Sequence, residues 1–326
     1  MVTKQQDILG TPAAEMRASG IKVTAIPRVS AATPTALKAA INSQSPMIFS
    51  GLTDTWPART TWNPSSLRQM HGARQITALM NLPTKGVLFS QDQRNFEQTM
   101  PFSEFLDVMD KTTNAAPCYL AYKRVDEIFD PSDYDFEAIL GATTADGDTR
   151  VWIGSAGTRS MLHSDLKDNL FCQIWGRKSV TLLPWSQSRA AYPFRDNLVN
   201  SQLDLAEVDL AKYPRLRSAE FMHSTVLPGD ILYIPRGCWH DIRSQTPSIS
   251  INHWFGASQS LGEYLRLLLM LGPKYWFSTV RDFIFHGLLK HSQKTLFFFS
   301  PPSTGRRLYD ALRWGNFSKE NDPSKQ

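Results

Sequence analysis

The chain has 326 residues, of which 42% are apolar and 20% charged, and its net charge at neutral pH is +5. This balance is typical of a globular protein and excludes a chain that is disordered throughout. Lysine and arginine are scattered along the sequence, so no nucleic-acid partner is indicated. No stretch reaches the ~18 uncharged apolar residues that a membrane-spanning helix needs, so no membrane span is expected.

The three cysteines predict a reducing compartment. Cys118, Cys172 and Cys238 form no CxxC pair and are too few for a disulfide framework. The first twenty residues are polar and carry no secretory signal. We therefore expect a cytoplasmic protein, with a nuclear location left open.

The N-terminal part alternates between helical and strand-like patterns. Residues 1–20 are polar and predict a flexible leader. Apolar spacing then predicts helices at 35–41, 65–70 and 101–110, and short strands at 46–49 and 75–82. We interpret this part as an α/β lead-in to the main domain.

From residue 150 the pattern becomes mainly β. Short apolar runs at 151–153, 170–175, 179–183, 224–227, 231–234 and 249–255 are separated by turn residues such as Gly176 and Pro228-Gly229-Asp230. Such spacing predicts a sandwich or barrel of antiparallel strands. Helical stripes return after residue 256, and the last residues, 318–326, predict a disordered tail.

Two histidines and one aspartate stand out as candidate metal ligands. His163 and Asp165 are two residues apart, so on a strand their side chains project to the same side. His240 follows a strand that two turn motifs bracket, which places an imidazole at a strand edge. Two imidazoles and one carboxylate form the facial triad of non-haem Fe(II) oxygenases. Taken singly, a histidine on a strand is more often a hydrogen-bonded structural residue, and the segment of His240 is equally compatible with a surface turn followed by an ordinary histidine.

Lys178 is the fourth candidate residue. It opens the strand that begins fifteen places after His163. A lysine that points into a barrel is costly unless it meets an anion, and a dicarboxylate would supply one. Standing alone, the residue would be interpreted as an edge lysine in solvent.

Together these segments resemble the JmjC or cupin-like Fe(II)- and 2-oxoglutarate-dependent oxygenases, with most similarity to the asparaginyl hydroxylase branch and to small JmjC-only hydroxylases. The resemblance covers roughly residues 21–256 and is carried by four ordered motifs: His163-x-Asp165, NLFxQIxGxK at 169–178, PGDxLYIPxxxWH at 228–240 and INxWF at 251–255.

The resemblance implies a double-stranded β-helix (jelly roll) with flanking helices: a catalytic domain at 21–256, with its barrel core at about 116–256. It also implies Fe(II) bound by His163, Asp165 and His240, with 2-oxoglutarate and O2 as cosubstrates. Lys178 would pair with the distal carboxylate of 2-oxoglutarate, and further cosubstrate contacts would come from Ser160, Tyr119, Asn169 and Asn252.

The function implied is hydroxylation of a protein or peptide side chain, with release of succinate and CO2. Three alternatives stay open: hydroxylation of a small molecule in a biosynthetic pathway, demethylation of N-methyl-lysine, and a non-catalytic cupin-like binding module. The region 257–317 carries more leucine and phenylalanine than a small helical hairpin can bury, which predicts a homodimer through the C-terminal helices.

Overall fold

The chain folds around two β-sheets, shown by a computed structural model that describes residues 12–111, 116–141, 147–292 and 304–314. In chain order the strands are β1 (Lys22–Ala25), β2 (Arg28–Val29), β3 (Met47–Ser50), β4 (Gln75–Leu79), β5 (Glu97–Pro101), β6 (Tyr119–Arg124), β7 (Gly147–Gly154), β8 (Arg159–Ser164), β9 (Asp168–Trp175), β10 (Lys178–Leu183), β11 (Glu220–Val226), β12 (Asp230–Ile234), β13 (Trp239–Ser244) and β14 (Ser248–Phe255).

Helices precede and follow these strands. The α-helices are α1 (Pro12–Ala18), α2 (Pro34–Asn42), α3 (Ala58–Thr61), α4 (Pro64–His71), α5 (Phe102–Lys111), α6 (Glu137–Leu140), α7 (Leu261–Leu271), α8 (Pro273–Asp282) and α9 (Thr304–Trp314). A π-helical segment, Phe283–Leu288, directly continues α8. None of the helices in the described ranges is long and apolar enough to cross a membrane.

The last eight strands form a double-stranded β-helix. The larger sheet has the order β2-β3-β12-β9-β14-β7-β6-β4-β5, and the smaller sheet has the order β1-β11-β10-β13-β8. Strands β7, β9, β12 and β14 therefore lie in one sheet and β8, β10, β11 and β13 in the other, which is the jelly-roll arrangement. The predicted fold class, a mainly β jelly roll with an α/β lead-in and C-terminal helices, is confirmed.

Two apolar layers position the barrel. One lies between the sheets, where Phe171 and Leu232 of the larger sheet meet Val180 and Ile242 of the smaller sheet. The other covers the outer face of the larger sheet, where the alternate side chains of the same strands pack against the lead-in helices. Successive residues of a strand face opposite ways, and nearly all residues of β9 and β12 are buried. Both faces of these two strands are therefore covered.

Strands predicted from apolar runs all occur, and several elements were missed. Helices α2, α4 and α5 and strands β3, β4, β9, β10, β12 and β14 match the predicted positions to within a few residues. Strand β7 is longer than predicted because its first residues, from Gly147, lie at the exposed end of the sheet and carry no apolar signal. Strands β1, β2 and β5 are short or polar and gave no periodic pattern.

The predicted flexible leader at 1–20 is wrong for its second half. Residues Pro12–Ala18 form α1, and Ala13 and Met16 are fully buried. Met16 packs in the cluster that contains Phe221 on the outer face of the smaller sheet. The few apolar residues of this segment give no helical pattern in the sequence. The segment is ordered by the tertiary contact of Met16. Residues 1–11 and the predicted disordered tail, 318–326, lie outside the described residues.

An insertion between β10 and β11 covers the outer face of the smaller sheet. A buried ionic cluster anchors it: Asp204 of the insertion accepts hydrogen bonds from Arg159 of β8, at 2.7 Å, and from Arg243 of β13, at 2.8 Å. Arg159 also donates to two backbone carbonyls of the lead-in, those of Pro83 and Gly86. The insertion is thereby held beside the two strands that carry the histidines of the predicted triad.

Candidate metal and cosubstrate site

The two histidines of the predicted triad lie directly opposite each other. Strands β8 and β13 pair antiparallel with His163 aligned to His240, and their ring centroids are 4.1 Å apart. Asp165 follows the end of β8, two residues after His163, so its carboxylate lies on the same side. One ligand atom from each residue lies within 4.8 Å of the others, which is the spacing of a three-ligand metal site.

Backbone hydrogen bonds orient both imidazoles. Nδ1 of His163 lies 2.7 Å from the carbonyl oxygen of Met161, and Nδ1 of His240 lies 3.0 Å from that of Cys238. A carbonyl oxygen can only accept, so the proton resides on Nδ1 in both rings. Nε2 lies 3.9 Å from the Asp165 carboxylate in His163 and 3.5 Å from it in His240, and is the ring nitrogen left for a metal.

The Asp165 carboxylate is held by two further side chains. Its Oδ2 accepts a hydrogen bond of 2.9 Å from Asn169 and one of 2.7 Å from the indole of Trp254. Asn169 in turn accepts a hydrogen bond of 3.1 Å from Asn252. Partners of this kind fix the orientation of a ligating carboxylate.

Burial keeps His240 ready to bind a cation. His240 is 1% exposed, and its burial, together with the neighbouring His163, lowers its pKa to about 4, although Asp165 opposes the shift. The ring is therefore neutral at physiological pH. A neutral imidazole is the form that binds a metal.

Lys178 is buried between the sheets. Its side chain is 1% exposed, and Nζ donates a hydrogen bond of 2.8 Å to Ser250. The rings of Tyr119 and Phe171 lie 5.5 and 5.6 Å from Nζ. Within the described ranges no carboxylate pairs with this amine, and its burial lowers its pKa to about 7.

Tyr119 and Ser160 lie beside this amine. The Tyr119 hydroxyl is 3.5 Å from Nζ of Lys178 and is hydrogen-bonded to the Ser160 side chain. Burial raises the pKa of Tyr119, so its hydroxyl stays protonated at neutral pH. Three of the predicted cosubstrate residues, Tyr119, Ser160 and Lys178, therefore meet in one cluster, although they come from β6, β8 and β10.

These residues fit a dicarboxylate bound beside a divalent metal. A buried amine without a carboxylate partner among the described residues is costly, and an anionic group would offset that cost. The neighbouring hydroxyls of Tyr119, Ser160 and Ser250 add hydrogen-bonding groups for the same anion. The three-ligand cluster offers the nitrogen and oxygen donors that suit Fe(II).

The structure brings the predicted residues together but arranges two of them differently. Asn169 and Asn252 form the hydrogen-bonded chain that ends on Asp165. Their predicted contact with the cosubstrate stays a prediction. Ser250 was missed, although the alternation of Ser248, Ser250 and Asn252 with isoleucines along β14 places polar side chains on one face.

Asn200 is a second residue that the sequence did not single out. It forms an isolated antiparallel bridge with His163, flanked by two backbone hydrogen bonds, Ser164 N to Val199 O and Ser201 N to Leu162 O. This pattern makes His163 and Asn200 a non-hydrogen-bonded pair, whose side chains lie close together on one face. Asn200 is 7% exposed, and its carboxamide bonds to no residue in the described ranges.

The chain matches the model of the cupin-like domain family over residues 33–260 and belongs to that family. Its relatives include JmjC proteins. It is 30% identical over 219 residues to "Lysine-specific demethylase JMJ30" of Arabidopsis thaliana, a match that covers 64% of this chain and 49% of the relative.

Two other relatives match a similar region. The chain is 28% identical over 221 residues to "Lysine-specific demethylase 8" of Xenopus tropicalis, covering 65% of this chain and 48% of the relative. It is 30% identical over 235 residues to human "HSPB1-associated protein 1", a match that covers 65% of this chain and 48% of the relative. The match therefore spans about half the length of these curated relatives. The family predicted from the motifs is confirmed.

Proposed function

We propose that this chain is an Fe(II)- and 2-oxoglutarate-dependent oxygenase. The proposal is carried by one arrangement: His163, Asp165 and His240 converge on a single point, while Lys178 is buried between the same two sheets without a carboxylate partner among the described residues. Membership of the cupin-like family and the JmjC relatives support it.

The chain's own side chains would bind and orient the reactants. Fe(II) with 2-oxoglutarate would supply the oxidative chemistry, in which O2 is consumed, succinate and CO2 are released, and one oxygen atom enters the substrate. His163, Asp165 and His240 would hold the metal, with Asn169 and Trp254 keeping the carboxylate in place. Lys178 would bind the distal carboxylate, assisted by Tyr119 and Ser160.

Anaerobic titration tests this assignment. Fe(II) and 2-oxoglutarate should together produce the visible charge-transfer band of a chelated 2-oxo acid. Asp165→Ala should abolish the band, whereas Asp209→Ala, which removes an exposed carboxylate of the insertion, should leave it unchanged. An unaltered band in the Asp165 variant would contradict the metal assignment. A chain that binds both but never releases succinate would be a binding module.

We propose a protein or peptide as the substrate and hydroxylation as the reaction. The half-buried aromatic rings of Tyr122, Phe194 and Trp254 pack with Tyr119 near the metal site, and Asn200 adds a carboxamide beside His163. Such a wall suits an extended side chain that carries an amide or another neutral polar group. A small-molecule substrate is the alternative that a combined peptide and metabolite screen would detect.

Demethylation of N-methyl-lysine is the second candidate, because two of the relatives carry the name lysine-specific demethylase. The two reactions differ in their products. Hydroxylation adds one oxygen atom to the peptide, whereas demethylation removes a methylene unit and releases formaldehyde. Mass spectrometry of methylated and unmethylated peptides, with formaldehyde detection, separates them.

We propose that residues 21–256 form the catalytic unit and that 257–317 mediate a homodimer. Helix α8 and the π-helical segment after it expose large apolar side chains, of which Phe277 is 78% exposed. Such a surface favours association with a second copy. The three cysteines are buried and form no disulfide, which fits our proposal of a reducing compartment, the cytoplasm or the nucleus.

A further inference from the structure

A cavity of about 260 Å³ lies beside the turn that joins β12 to β13. The triad histidine His240 is the second residue of β13, which follows this turn. None of the triad residues lines the cavity. Its walls come from the turn, from the segment after β10, from β11 and from α7, and its lining includes Pro46, Pro184, Trp185, Met222, Pro235, Arg236, Gln259, Glu263 and Arg266.

Two of the lining residues, Trp185 and Gln259, offer hydrogen-bonding groups that the described residues do not use. The indole Nε1 of Trp185 is buried without a hydrogen-bond partner in the described part of the chain, whereas Nε of Arg236 lies 3.5 Å from Oε1 of Glu263. Gln259 is 5% exposed, and its carboxamide likewise bonds to none of these residues. Unsatisfied buried donors are rare and costly, so their convergence on one cavity indicates a missing acceptor.

The remaining walls indicate the shape and charge of what would bind. Pro46, Pro184, Pro235 and Met222 provide apolar surface, and the side-chain charges are those of Arg236, Arg266 and Glu263, a net of one positive. Glu263 lies 3.5 Å from Arg236 and also caps the start of α7, so it is already engaged. An anion with two acceptor oxygens and a small apolar body matches this lining.

We propose that this cavity is an accessory binding site for a small organic carboxylate, distinct from the cosubstrate site at Lys178. The carboxylate accepts hydrogen bonds from Trp185, Arg236 and Gln259, and its apolar body lies against the prolines. Charge-assisted bonds of this kind are stronger than neutral ones, which favours the carboxylate over a neutral molecule of the same shape.

The position of the cavity connects it to the metal ligands. The turn residue Gly237 donates a hydrogen bond of 2.8 Å from its backbone N–H to the carbonyl oxygen of Asp165, and the carbonyl oxygen of Cys238 accepts from His240. A Cβ at Gly237 would meet Trp185 at 2.5 Å and Gln259 at 2.8 Å, so both donors pack directly on this turn. An occupant therefore contacts the residues that support Asp165 and His240.

Isothermal titration of the metal-free full chain with sodium benzoate tests the proposal. We expect saturable binding with a Kd of about 1 mM, and binding at least about tenfold weaker for benzamide, the neutral isostere. Trp185→Phe keeps an aromatic ring but removes the N–H donor, and Gln259→Met removes the carboxamide at a similar side-chain length; each should weaken benzoate binding about five- to tenfold. Trp276→Phe, on the exposed face of α8, should bind as the unaltered chain does.

A Lys178→Met variant separates this site from the cosubstrate site. Benzoate binding should persist in that variant, because Lys178 does not line the cavity. The proposal is overturned if benzoate does not saturate, if the Trp185 and Gln259 variants bind it unchanged, or if Lys178→Met abolishes binding. None of these results depends on the iron chemistry, so the proposed oxygenase function and the accessory site can fail separately.

Discussion

The indole Nε1–H of Trp254 donates a hydrogen bond of 2.7 Å to Oδ2 of Asp165, joining the last barrel strand to the carboxylate of the metal cluster. Asn169 donates to the same oxygen. With Oδ2 engaged by two donors, the direction of Oδ1 and of the carboxylate plane is restricted. A metal at this site would therefore meet a carboxylate that is already oriented.

Trp254→Phe should weaken metal binding about tenfold, because phenylalanine keeps an aromatic ring at this position but has no N–H to donate to Asp165. Titration of the variant with Mn(II), followed by calorimetry, measures the effect. Trp276→Phe is the matched control, since Trp276 lies on α8 and donates to the carbonyl oxygen of Leu268. Equal metal affinity in all three proteins would mean that the Trp254 bond does not orient the ligand.

Lys178→Met should weaken 2-oxoglutarate binding about 100-fold while leaving metal affinity within about twofold. The buried amine would supply a charge-assisted bond to the distal carboxylate, and methionine fills a similar volume without charge. Binding of 2-oxoglutarate to the Mn(II)-loaded protein measures this, with Lys212→Met, an exposed lysine of the insertion, as control. Unchanged cosubstrate affinity would remove Lys178 from the site.

The same variant should stabilise the protein in the absence of ligands. Burial lowers the pKa of Lys178 to about 7, below the value of an unfolded lysine. Between these two pKa values the unfolded chain binds a proton that the folded chain does not, so this lysine's unfavourable contribution is full below pH 7 and shrinks as pH rises. We expect ~1–3 kcal/mol of added unfolding free energy at pH 6, and less at pH 9, by denaturant titration.

Affinity for 2-oxoglutarate should fall as pH rises from 7 to 9. Only the protonated amine attracts a carboxylate, and in the free protein Lys178 loses its proton near pH 7 because its surroundings, Tyr119, Phe171 and Ser250, carry no charge. The Kd should rise by up to about tenfold per pH unit. Lys178→Met should lack this dependence; a Kd that is constant with pH in the unaltered chain would contradict it.

Asn200→Ala should raise KM for a peptide substrate about tenfold with little change in the Kd of 2-oxoglutarate. The carboxamide lies beside His163 on the face that carries the triad, where it can meet a substrate, whereas the proposed partner of 2-oxoglutarate is Lys178 of β10. Steady-state kinetics on a substrate found by screening would check it. Gln202→Ala, whose side chain bonds to the Pro193 carbonyl, is the control from the same insertion.

Phe277→Glu should convert the proposed homodimer to a monomer, because it places a charge in the most exposed part of the apolar face. Sedimentation velocity of the full chain measures the state, and Leu227→Glu, an exposed leucine of the barrel, is the control. A monomeric unaltered chain, or a dimer that survives the Phe277 change, would exclude this interface.

Much of the fold could be predicted because the strands are buried on both faces. Strands β9, β10 and β12 each contain a short run rich in apolar residues, so composition alone marks them. The leader could not be predicted, since α1 is ordered by the contact of Met16 with the outer face of the smaller sheet. Strand β13 could not be predicted from an apolar run, because it carries charged residues. Arg243 of this strand pairs with Asp204 and Asp241 in the buried ionic cluster.

The sequence by itself determined the local half of the site. His163 and Asp165 are two residues apart, so strand geometry places their side chains on one side. The turn before His240 is indicated by Pro235 and Gly237. Only the tertiary structure decided that β8 and β13 pair with His163 opposite His240, that Lys178 meets Ser250, and that Asn200 returns beside the triad. Such pairings depend on sheet register between distant segments, and no local pattern encodes which strand a residue will face.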